Sequence, residues 1–157
     1  MALDPRTPVI VGVGQYKQQL DDVTEADEQY VLMIEALKAA AADAGADALL
    51  GAIDRLLVIG GMWRYPDPGR LIADAVGASD AHTYLTAMGG NMPQACVADA
   101  AERILAGACD VTVVCGGEAV YSKNKLRKLG RDLPRTGYDL APADPFGANV
   151  PMASEHE

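Results

Sequence analysis

The sequence predicts an α/β fold in which a mainly parallel sheet is built in the order β-α-β-α-β-α-β. Short strand-like runs recur at four places among the 157 residues, and three of them are nearly continuous Val, Ile and Leu. Such runs are typical of strands that are buried on both faces. Stretches with helical spacing of apolar residues separate the runs. Strands joined by single helices favour a parallel sheet that helices cover on both sides.

The first two elements are a strand and a helix. Residues 8–14 form an apolar run with β-branched side chains, which predicts a strand buried on both faces. Thr24 precedes a group of acidic residues, a pattern typical of a helix N-cap and first turn. Apolar residues then recur at helical spacing until Gly45. We therefore predict a helix that begins after Thr24 and ends at Gly45.

The later elements alternate in the same way. The run 56–59 predicts the second strand, and Asp67 with Pro68 supplies an N-cap and a first-turn proline for a helix that ends at Gly77. The remaining predicted elements are a strand at 82–88, a helix at 92–106 and a strand at 111–115.

The pattern of alternation ends after residue 118. Residues 119–157 contain four prolines and no clean period, which is typical of an extended loop or of an insertion that is cut short. We therefore divide the chain into an α/β core, residues 1–118, and a loop or insertion region, residues 119–157.

The helix at 92–106 is rich in alanine and has few positions that require water. A helix that is apolar on all sides is normally buried, so we predict that it lies between two layers. The alternative is a surface helix whose polar residues face solvent: Gln94, Asp99, Glu102 and Arg103.

Charge and composition exclude several classes of protein. The 22 acidic and 13 basic residues give a net charge of -9, which argues against nucleic-acid binding. No apolar run approaches the ~20 residues of a membrane-spanning helix, and no signal-peptide pattern follows Met1. We therefore expect a cytoplasmic protein with neither nucleic acid nor membrane as a partner.

Cysteine and histidine spacing argues against a metal site. The three cysteines, Cys96, Cys109 and Cys115, lack the paired spacing of zinc ligands, and His82 and His156 are isolated. We therefore expect no bound metal.

Several segments together resemble the thiolase superfamily. They are residues 89–94, the Ala-rich helix up to Gly107, residues 110–114, and Gly116-Gly117-Glu118. The opening residues 9–15 and Trp63-Arg64-Tyr65 are similar to its acetyl-CoA acetyltransferase-like and sterol-carrier-protein thiolase-like branch. The resemblance spans nearly all of residues 7–157, and its motifs are specific as a set.

The resemblance implies a layered fold of two similar halves, of which this chain would be the N-terminal one. The helix at 92–106 would lie between the two sheets. Members usually bind acyl-CoA and form dimers or tetramers. Their catalytic histidine and second cysteine belong to the C-terminal half, so the sequence is either a fragment or the partner of a second chain, and both alternatives stay open.

Ordinary thiolases carry an acyl-accepting cysteine at the start of this helix, and here the chain departs from the family. By resemblance Gly90 occupies the nucleophile position, and Cys96 lies about a turn and a half further on. A helix N-terminus lowers the pKa of a thiol and offers N–H donors, whereas a cysteine inside the helix gains neither. Cys96 is therefore a poor candidate nucleophile, and we assign no catalytic residue.

Two groups of residues are candidates for ligand binding. Gly89, Gly90 and Asn91 form a turn whose N–H groups could bind a thioester oxygen or a carboxylate. The alternative is that glycine permits a tight turn and that Asn91 caps the helix.

The second group is a run of basic residues, which holds six of the 13 in the chain between 123 and 135. In thiolases this region helps to hold CoA. The resemblance therefore makes four of them candidates for CoA phosphates: Lys123, Lys125, Arg127 and Lys128. The alternative is a solvated loop.

These observations predict a thiolase-like, acetyl-CoA acetyltransferase-like protein of lipid metabolism. It would bind coenzyme A or acyl-CoA without a covalent cofactor, and this chain alone would not catalyse condensation. The alternatives are a lyase or aldolase acting on a CoA thioester, a non-catalytic acyl-CoA or lipid-carrier module, and a nucleotide-binding domain, which the lack of a phosphate loop disfavours. As half of a two-half fold, the chain is expected to form a homo-oligomer or a complex with a separate C-terminal half.

Overall fold

The structure is a computed structural model that describes residues 4–147. Its helices are α1 (Gln29–Asp43), α2 (Pro68–Val76), α3 (Met92–Leu105) and α4 (Val120–Lys128). Its strands are β1 (Arg55–Val58), β2 (His82–Leu85), β3 (Thr112–Cys115) and β4 (Asp144–Pro145). Two short 3-10 helices, Val23–Glu25 and Asp47–Ala52, lie on either side of α1. The predicted α/β class is confirmed.

The four strands form one parallel sheet in the order β3-β1-β2-β4. The central strand β1 is buried at all four residues, and Arg55 pairs with His82 on one side and with Thr112 on the other. Because the strands are parallel, the residues that follow β1, β2 and β3 meet at one end of the sheet. We call this end the carboxyl edge.

Helices cover both faces of β1. Leu56 and Val58 belong to a core with Ile34 of α1 and Ile72 of α2. Alternate residues of a strand point to opposite faces, and on the other face the Arg55 guanidinium contacts the Asp99 carboxylate of α3 at 2.8 Å. The sheet therefore lies between α1 and α2 on one side and α3 on the other.

The prediction of a buried first strand at 8–14 is wrong. This segment belongs to no strand of the described sheet, and its apolar side chains are exposed, Val9 by 71% and Ile10 by 77%. Gly12 and Gly14 explain its position, since a Cβ on either would overlap a carbonyl oxygen of α1, at Ala40 and Ala36 respectively. The segment therefore lies directly on the α1 backbone, and β4 is the fourth strand of the sheet.

The first long helix begins later than its sequence indicates. Asp22 accepts a hydrogen bond from the Thr24 backbone N–H at 2.8 Å and caps the first 3-10 helix, and α1 starts only at Gln29. Glu28 stands at the N-cap position but makes no side-chain cap bond, because its carboxylate binds residues of other elements. The predicted end is confirmed, since Gly45 follows α1 with a φ of 65°.

The local signals for α2 are confirmed at both ends. The Asp67 carboxylate accepts from the Arg70 backbone N–H at 2.9 Å, and Pro68 is the first helical residue. Gly77 ends the helix with a φ of 82°, a left-handed conformation that glycine adopts without steric cost.

The predicted burial of the Ala-rich helix on all sides is not seen. Cys96 is the one fully buried residue of α3, whereas Val97 and Leu105 are 45% and 53% exposed. The surface-helix alternative fits better, because three of its four polar residues, Gln94, Glu102 and Arg103, are exposed. The physical reason is that no described element of this chain covers the outward side of α3.

The region after residue 118 is not all loop. Val120–Lys128 form the helix α4. Leu126 of this helix packs with Ala119 and Leu133 against Val23 and Leu32. The sequence did not show this helix because Leu126 is its one buried residue. The short strand β4 follows, and residues 148–157 of the predicted loop region lie outside the described residues. The division of the chain at residue 118 stays a prediction.

No helix within residues 4–147 has the length and apolarity that crossing a membrane requires. No group of three or more potential metal-ligating side chains converges in the same range.

Candidate ligand-binding site

A cavity of about 480 Å³ opens at the carboxyl edge of the sheet. Its walls come from residues 61–65 after β1, from Met88 after β2, from Gln29 at the start of α1, from α4 and from the loop 132–138. Ligands of open α/β sheets commonly bind at the carboxyl ends of the strands. We call this space the carboxyl-edge cavity.

Gly60 allows the ends of β1 and β2 to come close together beside this cavity. Gly60 donates its N–H to the Thr86 hydroxyl at 3.0 Å, and a Cβ at Gly60 would lie only 2.5 Å from the Thr86 carbonyl oxygen. Glycine is therefore required for this close approach of the two strand ends.

Two motifs that are separate in the sequence meet at the same edge. The Trp63 indole N–H donates to the Gly117 carbonyl at 2.9 Å, and the Glu118 carboxylate accepts from the Met62 backbone N–H at 2.5 Å. Trp63-Arg64-Tyr65 is thereby fixed against Gly116-Gly117-Glu118. Two of the chain segments that carried the resemblance are thus in direct contact.

Aromatic rings form one wall of the cavity. The ring centroid of Tyr65 lies 5.6 Å from that of Trp63 and 5.4 Å from that of Tyr138. Tyr30 packs on the other side of Tyr65, with its centroid at 5.9 Å. These distances lie in the range of favourable aromatic pairs, so the wall is both apolar and rigid.

A buried carboxylate holds this wall in place. Glu28 is 5% exposed, and its oxygens accept from the Tyr65 hydroxyl at 2.8 Å and from the backbone N–H and hydroxyl of Thr136 at 3.1 and 2.5 Å. Burial, together with the bond to Glu28, raises the pKa of Tyr65 well above its usual value. Tyr65 is therefore a neutral hydrogen-bond donor, and the loop 132–138 is fastened to the start of α1.

Three cations face the cavity, and they come from three separate segments. They are Arg64, Lys123 and Arg135, and among residues 4–147 Asp132 is the one acidic residue that lines the same space. The Asp132 carboxylate contacts the Arg135 guanidinium at 3.7 Å. In a chain with a net charge of -9, the sign of the charge is therefore reversed locally.

Of the four basic residues predicted from the sequence, Lys123 lines this cavity and the other three do not. Lys125, Arg127 and Lys128 are exposed on α4, and the Lys125 ammonium lies 5.6 Å from the ring centroid of Tyr121. Each residue of an α-helix is rotated by about 100° from the previous one, so neighbouring basic residues of α4 point in different directions.

The turn before α3 has a more open structure than the sequence indicates. Neither Gly89 nor Gly90 has a positive φ, and a Cβ at Gly90 would meet no atom within 4 Å. Asn91 stands at the N-cap position, yet its side chain makes no cap hydrogen bond. The alternative in which Asn91 caps the helix with its side chain is therefore not observed, and packing does not require glycine at position 90.

A solved structure relates this arrangement to a known family. The chain matches the crystal structure of a monomeric SCP2-thiolase like protein type 1 from Mycobacterium smegmatis with 36% sequence identity and a TM-score of 0.65. The chain is similar to the sterol-carrier-protein branch of the thiolase superfamily. The predicted resemblance is thus confirmed, although no family model and no curated protein matches the chain.

The match covers 74% of this thiolase-like chain and 24% of the Mycobacterium chain. The thiolase-like chain therefore spans about a quarter of the length of that relative. The activity, substrates and partners of a whole thiolase-like protein are accordingly treated below as proposals.

Two of the cysteines, Cys96 and Cys115, are held in their protonated form. Burial, with a smaller effect of the nearby Asp99 carboxylate, raises the pKa of the Cys96 thiol to about 11. Burial also raises the pKa of Cys115 to about 12, with Cys96 as the second cause. Because the thiolate is the nucleophile, neither thiol is reactive at neutral pH.

Sequence reasoning missed Glu28 and Arg64 as residues of this site, whereas Arg135 belongs to the basic run 123–135 that it singled out. Glu28 was assigned to the first turn of a helix, and its contacts with Tyr65 and Thr136 are distant in sequence. A signal was present for Arg64, because Trp63-Arg64-Tyr65 directly follows the predicted strand 56–59 and so lies at its carboxyl end.

Proposed function

We propose that this thiolase-like chain binds acyl-CoA, without a covalent bond, in the carboxyl-edge cavity of a thiolase-like acyltransferase. The observation that carries the proposal is the convergence of Arg64, Lys123 and Arg135 beside an aromatic wall. Guanidinium and ammonium groups bind phosphates through charge-assisted hydrogen bonds. The aromatic rings offer a surface for the adenine or acyl part of the ligand.

The thioester would be held at the turn before α3. Residues 89–91 precede the helix, and within residues 4–147 none of their backbone N–H groups donates a hydrogen bond. These groups would donate hydrogen bonds to the thioester oxygen, which gains negative charge when the carbonyl is attacked. Gly89, Gly90 and Asn91 are therefore proposed as binding residues that act through their backbone.

No acyl group is expected on a cysteine. Gly90 has no group to acylate, and Cys96 is fully buried with a raised pKa. The absence of an available thiol at Gly90 and Cys96 favours chemistry that requires no acyl-cysteine. The second candidate function is therefore a lyase or aldolase acting on a CoA thioester. A non-catalytic acyl-CoA module would share the same binding site.

Calorimetric titration with CoA and with acetyl-CoA tests the proposal. Arg64→Ala and Lys123→Ala should each weaken binding by on the order of tenfold, because each removes a charged hydrogen-bond donor worth about 1.5–3 kcal/mol. Affinity should also fall with added salt. Lys125→Ala and Lys128→Ala, on the same helix as Lys123 but outside the cavity, are the matched controls.

Two results would contradict the proposal. One is that the parent chain binds neither CoA nor acetyl-CoA at millimolar concentration. The other is that the control variants weaken binding as much as Arg64→Ala does, which would mean that the exposed charges of α4, and not the cavity, attract the ligand.

A further inference from the structure

The loop 132–138 brings Arg135 and Tyr138 to the carboxyl-edge cavity. The Arg135 side chain is 71% exposed, and it contacts two residues of its own loop, the Asp132 carboxylate at 3.7 Å and the Tyr138 ring centroid at 6.0 Å. A long side chain that is free to rotate loses entropy when it binds a ligand. The direction in which Arg135 points therefore depends on how the loop as a whole is attached to the fold.

Glu28 supplies the polar attachment of this loop. Within residues 4–147 it is the one residue outside 131–140 that hydrogen-bonds to the loop, through the Thr136 backbone N–H at 3.1 Å and the Thr136 hydroxyl at 2.5 Å. The other attachments are apolar, since Leu133 is buried beside α4 and Gly137 lies against a leucine of α2. Apolar packing has no direction, whereas hydrogen bonds fix an orientation. Thr136 is thus the point at which the loop is oriented.

The Glu28 carboxylate is itself held from several sides. It is buried and stands at the N-cap position of α1, where the helix dipole favours a negative charge. The Tyr65 hydroxyl donates to the same oxygen, Oε2, that accepts from the Thr136 N–H, and Oε1 accepts from the Thr136 hydroxyl. Both oxygens are therefore engaged, and the aromatic wall and the loop share one rigid anchor.

The sign of the Glu28 charge makes its place behind the cavity wall informative. Among residues 4–147 Glu28 does not line the cavity, yet it is bonded to Tyr65, which does. A carboxylate close to a site for phosphates repels them, so its charge alone would weaken binding of the ligand. We infer that Glu28 is a positioning residue, whose hydrogen bonds to Thr136 hold Arg135 toward the CoA phosphates. This inference rests on the proposed function and adds a residue that does not touch the ligand.

The sign of the change in affinity separates positioning from charge. If Glu28 acted through its charge alone, Glu28→Ala would strengthen CoA binding. Because we assign it a positioning role, we expect Glu28→Ala to weaken CoA binding by about tenfold in calorimetric titration, as much as Arg135→Ala does. Glu28→Gln keeps an acceptor for Tyr65 and for the Thr136 N–H, so it should retain most of the affinity.

Glu25→Ala is the matched control for the loss of charge. Glu25 is exposed in the first 3-10 helix, three residues before Glu28, and its removal changes the net charge by the same amount. This variant should bind CoA at least as tightly as the parent.

A double-mutant cycle separates positioning from a general loss of stability. Residues that act through one another have non-additive effects. In the Arg135→Ala background, Glu28→Ala should therefore cause little further weakening of CoA binding. A merely structural role would weaken binding by the same factor in both backgrounds.

A milder pair of variants keeps the inference testable if Glu28→Ala does not fold. Thr136 is exposed, and Thr136→Val removes the hydroxyl that donates to Glu28 while it keeps the backbone N–H and the β-branched shape. It should weaken CoA binding by about threefold, since one of the two hydrogen bonds to the loop is lost. Thr136→Ser keeps both donors and should bind like the parent.

The outcomes distinguish this inference from the proposed function. A parent chain that does not bind CoA contradicts the proposed function, and the inference falls with it. A parent that binds CoA, while Glu28→Ala and Thr136→Val bind equally well or better, overturns the inference alone. Effects of Glu28→Ala and Arg135→Ala that simply multiply, or an Arg135→Ala variant with unchanged affinity, would also overturn it.

Discussion

At the scale of single residues, the contact between Glu28 and Tyr65 connects the candidate cavity to the stability of the chain. Tyr65→Phe would remove a hydroxyl that donates to Glu28 at 2.8 Å, leaving a buried carboxylate with fewer donors. We expect a loss of about 1–3 kcal/mol in the free energy of unfolding, measured with urea. Tyr121→Phe, at a residue that is 72% exposed, is the control and should have little effect. Equal losses in both variants would show that Glu28 is satisfied without Tyr65.

The same contact predicts a dependence on pH. A tyrosine is neutral when protonated, and the pKa of Tyr65 is raised in the folded chain by burial and by Glu28. Its contribution is therefore fully present below the unfolded pKa of about 10 and is lost as the pH rises above that value. Between pH 9 and pH 11 the parent should lose more stability than Tyr65→Phe. Parallel pH profiles for the two proteins would contradict this assignment.

The reactivity of a thiol at position 90 can be tested with a cysteine variant. A Cβ there would meet no atom within 4 Å, so Gly90→Cys should fold like the parent. The new thiol would lie next to the start of α3, where N–H groups lower a thiol pKa, whereas burial raises that of Cys96 to about 11. At pH 7.5 we expect iodoacetamide to modify position 90 at least about tenfold faster than Cys96, as read by peptide mapping.

Exposure of the parent to acetyl-CoA provides the control for that experiment. Intact-mass measurement should show no acyl adduct, because the parent has no thiol at position 90 and the thiols of Cys96 and Cys115 have raised pKa values. A stable adduct on Cys96 would overturn the proposal of a non-covalent ligand.

At the scale of elements, Arg6 joins the start of the described chain to the end of α3. Its guanidinium donates to the Ile104 and Cys109 carbonyls at 2.8 Å each and contacts the Asp110 carboxylate at 2.9 Å. Carbonyls at the end of a helix have no intrahelical donor, so a cation there is favourable. The segment 8–14 thus begins from a fixed point beside α3.

Arg6→Ala should therefore destabilise the chain by about 1 kcal/mol, a modest effect because the side chain is partly exposed and solvent screens it. Arg6→Lys should recover only part of the loss, since a lysine cannot reach both carbonyls with a planar group. Thermal unfolding measures both variants. Arg127→Ala, on the exposed surface of α4, is the control, and an equal change there would assign the effect to net charge.

At the scale of the whole molecule, the outward side of α3 exposes apolar side chains among its polar ones. Val97 and Leu105 are about half exposed, and each Å² of apolar surface left in water forgoes about 25 cal/mol. We expect the chain to associate with itself or with a separate half in a concentration-dependent way, as light scattering over a dilution series would show. Val97→Lys combined with Leu105→Lys should reduce association, whereas Glu102→Lys on the same helix should not. A monomer at every concentration would contradict the expectation.

Much of the fold could be predicted from the sequence because its signals are local. The cap at Asp67 and Pro68 and the glycines after α1 and α2 depend on backbone angles and on hydrogen bonds within a few residues. The candidate site could be predicted only in part. Lys123 was included for its charge, but which basic residue faces the cavity depends on how α4 rotates against Leu133 and Val23.

The sequence by itself determined the alternation of helices and strands from α1 to β3, the ends of α1 and α2 at Gly45 and Gly77, and the likeness to thiolases, since these follow from nearby residues and from motifs. Only the tertiary structure decided that the segment 8–14 lies on α1 outside the sheet and that Glu28 binds Tyr65 and Thr136. An apolar run predicts burial, but whether its side chains are buried depends on which elements pack on them, and Val9 and Ile10 are exposed. The sequence position of a carboxylate likewise does not indicate its distant partners, because those contacts form only when remote parts of the chain are brought together.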